Sequence, residues 1–547
     1  MAPVSARSLL VVAAACALVP GRVEARGETY EAALAAYKAY LQRPSLRKRM
    51  VGRERLAATD DPRALAILAA SYSRAEEPRD QVQYLLASLT TDRFAEAEHL
   101  PVYEAWRKRC DSPKDAWLWF KSLGVHGLAK GAADLDAVVR SDRGVFLRAA
   151  AIEALRSNLD RSLLASLPEL ARLAPAEGVP RAVFLESVAA CLPLFRDQRR
   201  KPEFRAPAEA VIALMDDDKA LPRTRIVVAR CLARALQVKF TFRSGDKWRS
   251  ELDFVQSGGK QASMEGYAPP PTFAGIEATG DRICYVIDMS DSMLTPLTPA
   301  EKEKLPKGPV TGVARPKESD NDAWERVFEA VDWKKVKTRF DAARELLKAS
   351  LLGLREGQSF AVLWFGDQAG ALQSTPGMTK TTLAAVKSVF RELDAIKAGP
   401  AKQGRPLGTI RGNTNLHGGL HRAFKLHGRG FVGPGEFVDP STWNDGCDTI
   451  FVLTDGEPTW DDWAAADKRD PEDNVGDPET GARLGDSDTL EFAGPYREAG
   501  ALVDDVLRLN LFRKAEIHCV GLGEASMNTL ERLAGVGCGR AISLSTK

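Results

Sequence analysis

Asp288, Ser290 and Ser292 stand at alternate positions directly after an apolar run, Ile283-Cys284-Tyr285-Val286-Ile287. Far along the chain come Thr414, in Gly412-Asn413-Thr414-Asn415-Leu416, and Asp455, which closes a second apolar run, Ile450-Phe451-Val452-Leu453-Thr454. Two carboxylates and three hydroxyls are purely oxygen donors, the set that suits a hard divalent cation: Mg2+ first, with Mn2+ or Ca2+ as alternatives. The carboxylates neutralise such an ion, and neutral hydroxyls fill part of its shell without adding charge. Each piece alone is weak, since Asp followed by Ser after a strand is also an ordinary helix N-cap. All three in this order, at the ends of apolar runs, form a specific pattern.

Such donors must be brought together by rigid elements. From Asp281 onward, short apolar runs alternate with amphipathic stretches, the signature of a parallel sheet covered on both faces. The pattern predicts strands at 282–287, 360–365, 449–453 and 517–521. It predicts helices at 334–354, 381–396, 416–426, 495–510 and 529–534. In an open α/β sheet, loops converge at the carboxyl ends of the strands. Asp288 and Asp455 both fall there, and Thr414 lies in a loop that can reach the same edge. Two polar insertions, 295–332 and 460–491, directly follow the Ser292 loop and Asp455.

Asp288-x-Ser290-x-Ser292, Thr414 and Thr454-Asp455-Gly456 resemble, in order, the motif of the von Willebrand factor A-type (VWA) domain with its metal-ion-dependent adhesion site. The resemblance covers residues 281–547, about half the chain. It implies an α/β doubly wound, mostly parallel sheet with the ion at its top. It further implies that Ser290, Ser292 and Thr414 contact the ion, while Asp288 and Asp455 bind it directly or through water. The partner so implied is a protein that offers an Asp or Glu carboxylate to the metal. One position departs from the family: Asp291 stands between the two serines, where a small residue, often Gly, is common. Facing the ion it would make the site more negative; alternation along an extended loop turns it to solvent instead.

The first half reads differently. Over 28–238 the periodicity is helical. An apolar element recurs at Val145–Leu155, Val183–Leu192 and Ile226–Leu232, with Leu155, Leu192 and Leu232 spaced 37 and 40 residues apart. That spacing is near the period of two-helix solenoids, so the region is expected to be an all-α, HEAT-like repeat domain or, failing that, an irregular helical bundle. Pro180 and Pro222 precede the second and third copies, where the first helical turn tolerates proline. Residues 239–280 form a connector broken by Ser257-Gly258-Gly259 and Pro269-Pro270-Pro271. A short strand or hairpin is expected around 240–242 and 248–254.

At the N-terminus, Arg7, the apolar stretch 9–19 and Val23-Glu24-Ala25 read as an export signal over residues 1–25, with a buried N-terminal helix as the alternative. The expected location is therefore periplasmic, cell-surface or secreted, with no membrane span after signal removal. Of 8 cysteines none is spaced as a metal finger. Cys191, Cys231, Cys284 and Cys519 are expected in the core, and Cys447 and Cys538 at the surface.

Composition narrows the function. With 44% hydrophobic and 27% charged residues the chain is globular. A net charge of +2 carries no nucleic-acid footprint. Ser257-Gly258-Gly259-Lys260 lacks phosphate-loop spacing, so no nucleotide is expected. His417 and His421 have a zinc-compatible spacing but lack a metalloprotease glutamate, which favours a plain helix face. The acidic insertion, including Asp461, Asp462, Asp467, Asp470, Glu472 and Asp473, reads as a solvated loop, with calcium binding as the alternative. Trp460 and Trp463 could anchor a partner or pin that insertion. The expectation is a non-enzymatic protein for metal-dependent protein binding. In the alternative, a structural scaffold, the metal only stabilises loops and the helical repeats bind the partner.

Overall fold

The computed structural model describes residues 28–70, 81–82, 128–157, 162–265, 267, 270–305, 331–398, 409–410, 412–433, 440–466 and 494–545. The expected export signal, the middle of the first insertion and most of the second lie outside these residues.

Seven strands form the main sheet: β1 (Arg282–Asp288), β2 (Ser359–Phe365), β3 (Ala369–Ala371), β4 (Thr379–Lys380), β5 (Thr449–Thr454), β6 (Glu516–Gly521) and β7 (Ala541–Ser543). The order is β7-β6-β5-β1-β2-β3, with β4 also paired to β2. Neighbours from β7 to β2 run parallel, while β3 and β4 are antiparallel on the outer edge of β2. The chain therefore winds outward from β1 to one side, then returns to lay β5, β6 and β7 on the other. The reversal falls between β1 and β5, the point at which loops diverge and leave a crevice. All four predicted strands are present; β3, β4 and β7 are too short to have announced themselves by periodicity.

Alternation along the strands feeds two cores. Cys284, Val286, Ile450, Val452, Ile517 and Cys519 face one side. Ile283, Tyr285, Ile287, Phe451 and Leu453 face the other, with Phe340, Leu347 and Val386. Among the described residues, five helices cover the sheet: Arg339–Gly353, Leu383–Ala395, Leu416–Lys425, Ala499–Asn510 and Met527–Val536. The first starts five residues later than expected, where Thr338 and Asp341 form a capping box; Trp333–Lys335 ahead of it is a separate turn.

The first half is all helical among the described residues. Val145–Ser157, Gly178–Cys191 and Pro222–Leu236 pack in succession and carry the recurring apolar element. Leu163–Arg172, Arg205–Ile212 and Gly245–Ser257 pack as a second row. The last of these corrects the expected strand or hairpin in the connector. Trp248, Glu251 and Leu252 are buried together at helical spacing, and Gly258 closes the helix in a left-handed conformation. A small antiparallel ribbon does occur, at Thr272–Phe273 and Ile276–Glu277. The stretch Gly178–Gln198 is long and apolar enough to cross a membrane by length and composition, but most of it is buried in the helical stack.

The two halves share a continuous core and are tied at the amino ends of the strands, opposite the expected site. Arg230 is buried there. It donates to Asp448 O at 2.9 Å and to the Thr449 and Thr279 hydroxyls at 2.8 Å each, and its Nε lies 3.1 Å from Glu516 Oε2. Burial opposes ionisation of Glu516, but Arg230 and His518 hold its carboxyl well below the usual range. Lys514 meets Glu153 at 2.6 Å and Arg223 lies 4.8 Å over the Trp443 ring; a further contact, beyond the carboxyl end of β5, has Trp463 Nε1 donating to Gln81 Oε1 at 2.5 Å. Removing one member of such a buried network strands the others, at about 3–5 kcal/mol. Arg230→Met is therefore expected to lower unfolding free energy by about that amount in denaturant titration. An unchanged midpoint would show that the junction does not depend on this guanidinium.

Candidate metal centre

Each expected donor sits on an element whose local chemistry explains its position. Asp288 is the last residue of β1, and Asp455 follows β5 directly. Because β1 and β5 pair in parallel, with Leu453 opposite Ile287, the two carboxylates emerge side by side. Ser290 and Ser292 lie on the loop leaving β1. Thr414 precedes the helix Leu416–Lys425, which Asn415 caps through a 2.7 Å bond from Gly418 N. That helix lies close on the sheet because Gly419 has no Cβ; one would sit 2.8 Å from Val286 Cγ1 and 2.9 Å from Phe365. Three backbone bonds stitch the loops together: Met289 N to Phe365 O, Asp291 N to Gly412 O, and Asn415 N to Gly366 O.

The side chains converge. Ser290 N donates to Asp288 Oδ1 at 2.8 Å, and the Ser290 and Ser292 hydroxyls are 3.0 Å apart. Ser292 Oγ donates to Asp455 Oδ1 at 2.6 Å. Thr414 reaches the same space: a methyl placed on Gly456 would lie 3.8 Å from both Ser292 Oγ and Thr414 Oγ1. The structure thus brings together all five residues singled out in the sequence. Asp291 is exposed as expected, although not through alternation: Asp291–Leu294 forms a 3-10 turn rather than an extended loop.

Two carboxylates held this close and this deep need positive charge. Asp288 is fully buried, and burial together with the neighbouring Asp455 pushes its pKa up to about 7. Bonds from Ser290 N and Thr454 Oγ1 offset only part of that. Strained carboxylate pairs with hydroxyls on one side are a fitting receptor for a divalent ion, which would use Asp288, Ser290, Ser292, Thr414 and Asp455. Among the described residues no three His, Cys, Asp or Glu side chains gather as a metal cluster, so any ion here depends on the hydroxyls.

Three participants escaped the sequence analysis as members of the site. Thr454 donates to Asp288 Oδ2 at 2.5 Å, although only its neighbour Asp455 was read as a donor. Arg339 Nη1 donates to Asp455 Oδ2 at 2.8 Å, and buried Glu301 lies 3.7 Å from Arg339 Nε. No sequence signal marks that pair. They meet because the two ends of the first insertion come together, with Leu297 N bonded to Lys337 O and Arg339 N to Thr295 O.

The remaining candidates resolve into structural roles. His417 is buried, its Nε2 2.8 Å from Asp505 Oδ2 and its ring stacked 3.7 Å from Tyr496, so this ring belongs to the packing between helices. Asp461 accepts from the backbone of Trp463, Ala464 and Tyr496, and Asp462 pairs with Arg422. Asp467, Asp470, Glu472 and Asp473 lie outside the described residues. Trp463 is buried and pins the insertion's start, while Trp460 is half-buried. Cys447 is not at the surface as expected: it is buried, its Sγ 3.3 Å from Ala423 O beneath the same helix, whereas Cys538 is exposed. Cys191, Cys231, Cys284 and Cys519 are buried.

No protein-family model matches this chain, and no curated protein matches it significantly.

The site's charge has a consequence for stability. Asp288 titrates higher in the folded chain than an unfolded aspartate, whose value is near 3.8. Between about pH 4 and pH 7 the folded state therefore holds a proton that the unfolded state lacks, and stability is lost as pH rises through that window. In chelator, Asp288→Asn is expected to raise the thermal midpoint by roughly 2–4 °C at pH 8 and by much less at pH 5. Equal shifts at both pH values would mean that Asp288 carries no uncompensated charge. Asp291→Gly, by contrast, should leave Mg2+ affinity within about twofold in calorimetry, because an exposed charge is screened. A larger change would place that carboxylate in the site.

Proposed function

We propose that this chain is a non-enzymatic, exported binding protein. Its second half is a VWA domain that captures a protein partner through a divalent ion, and its first half is a HEAT-like scaffold. One observation carries the reading: Asp288, Ser290, Ser292, Thr414 and Asp455, scattered over 168 positions, converge at the switch point of a mostly parallel sheet. The strand order and the antiparallel edge are compatible with that domain type.

The residues divide the work. Asp288 and Asp455 supply the negative charge, Ser290, Ser292 and Thr414 supply neutral oxygens, and Thr454 holds Asp288 in place. A bound ion would offer an open coordination position to a carboxylate of the partner. His417 is committed to Asp505, and the reading assigns the site's two carboxylates to the ion rather than to proton transfer, which is why binding is favoured over hydrolysis. Export is proposed from the N-terminal sequence alone.

The interlocked core favours a second reading, in which the ion serves only to hold the loops and the helical rows bind the partner. One comparison separates the two. Full-length protein titrated with Mg2+ in a calorimeter should show saturable binding that Asp455→Ala abolishes. Capture of a partner from cell-envelope extract should then be lost with chelator and in Asp288→Ala. Capture that survives in Asp288→Ala assigns binding to the helices, and absence of any Mg2+ binding removes the metal from the account.

A further inference from the structure

Arg339 is unusual as a neighbour of this site because it is already a cation on one of the two carboxylates. Its guanidinium bonds Asp455 Oδ2 at 2.8 Å, while Ser292 occupies Oδ1 at 2.6 Å. The position is built rather than incidental. Thr338 and Asp341 cap the helix that begins with Arg339. Gly523, at φ +54°, leaves the space the guanidinium fills; a Cβ there would lie 2.0 Å from Arg339 Cζ. On its far side Arg339 Nε has no hydrogen-bond partner, although Glu301 Oε1 lies 3.7 Å away. Glu301 is itself fixed, with Oε2 accepting from Thr298 N at 2.6 Å in a second capping box.

We propose that Arg339 is a resident counter-charge that sets the site's affinity for its ion, with Glu301 as the acidic group that moderates it. This inference rests on the metal-binding reading above. Asp455 is shared between the guanidinium and the ion's side of the site. A cation within a few ångströms, in a pocket where Asp455, Glu301 and Arg339 are all largely buried, is not screened as a surface pair would be. Arg339 therefore stabilises the ion-free site, which otherwise holds two facing carboxylates, and repels an arriving divalent ion. Glu301 draws the guanidinium's charge away from Asp455 and so favours the ion. The outcome is a site that stays folded without metal and binds it reversibly.

Three full-length variants decide the matter by Mg2+ calorimetry, with thermal unfolding in chelator as a second readout. Arg339→Gln should bind Mg2+ roughly three- to thirtyfold more tightly and unfold at lower temperature in chelator. Arg339→Lys, which keeps the charge, should stay close to wild type. Glu301→Gln should bind Mg2+ several-fold more weakly. A scaffolding role for Arg339 predicts weaker or unchanged binding in Arg339→Gln, and either result overturns the proposal. Equal affinity in Glu301→Gln and wild type removes Glu301 from it. Absence of Mg2+ binding in wild type and all variants overturns the metal reading itself, a failure distinct from binding that ignores Arg339.

Discussion

Two aspartates, Asp288 and Asp455, leave adjacent parallel strands one register position apart, Asp288 level with Thr454, and are buried there together. Burial first, and the like charge of Asp455 second, push the Asp288 carboxyl up toward neutral pH. Much of the surrounding architecture compensates for this contact. Ser290 N and Thr454 Oγ1 donate to one carboxylate, Ser292 Oγ and Arg339 to the other. An ion at the same place would complete what these donors begin.

The sheet makes the contact unavoidable. Winding outward from β1 and then returning on its other side puts β5 beside β1, and parallel pairing aligns their carboxyl ends. The loops are then held by backbone bonds rather than by side-chain chance. The opposite end of the sheet is reserved for a different job, since Arg230, Asp448, Thr449 and Glu516 lock the helical half against the strand starts. The two tasks are thus separated by the length of the strands.

The helical half is more than an appendage. Its inner helices enter the same core that covers one face of the sheet, and Gln81 reaches the start of the acidic insertion through Trp463. This also explains why the connector did not behave as a linker: Gly245–Ser257 continues the outer row, with Trp248 packed against Phe242 at 5.3 Å.

Near-continuous apolar runs, buried on both faces, made β1, β2, β5 and β6 legible in the sequence, and with them the positions of Asp288 and Asp455 at strand ends. The donor types were legible too, because oxygen-only chemistry follows from residue identity. The short strands β3, β4 and β7 were not, since two or three residues carry no period and their pairing is dictated by neighbours. Cys447 was misjudged for a related reason: its polar sequence context says nothing of the helix Leu416–Lys425 that lies over it. What only the tertiary structure decided is the charge around the donors. Arg339 and Glu301 are separated from Asp455 by more than a hundred residues, and their place beside it depends on how the insertion's ends meet and on a glycine at 523. Residue types and spacing determine what a site is able to bind. The counter-charges that set how tightly it does so act through space, and a linear pattern contains no distance.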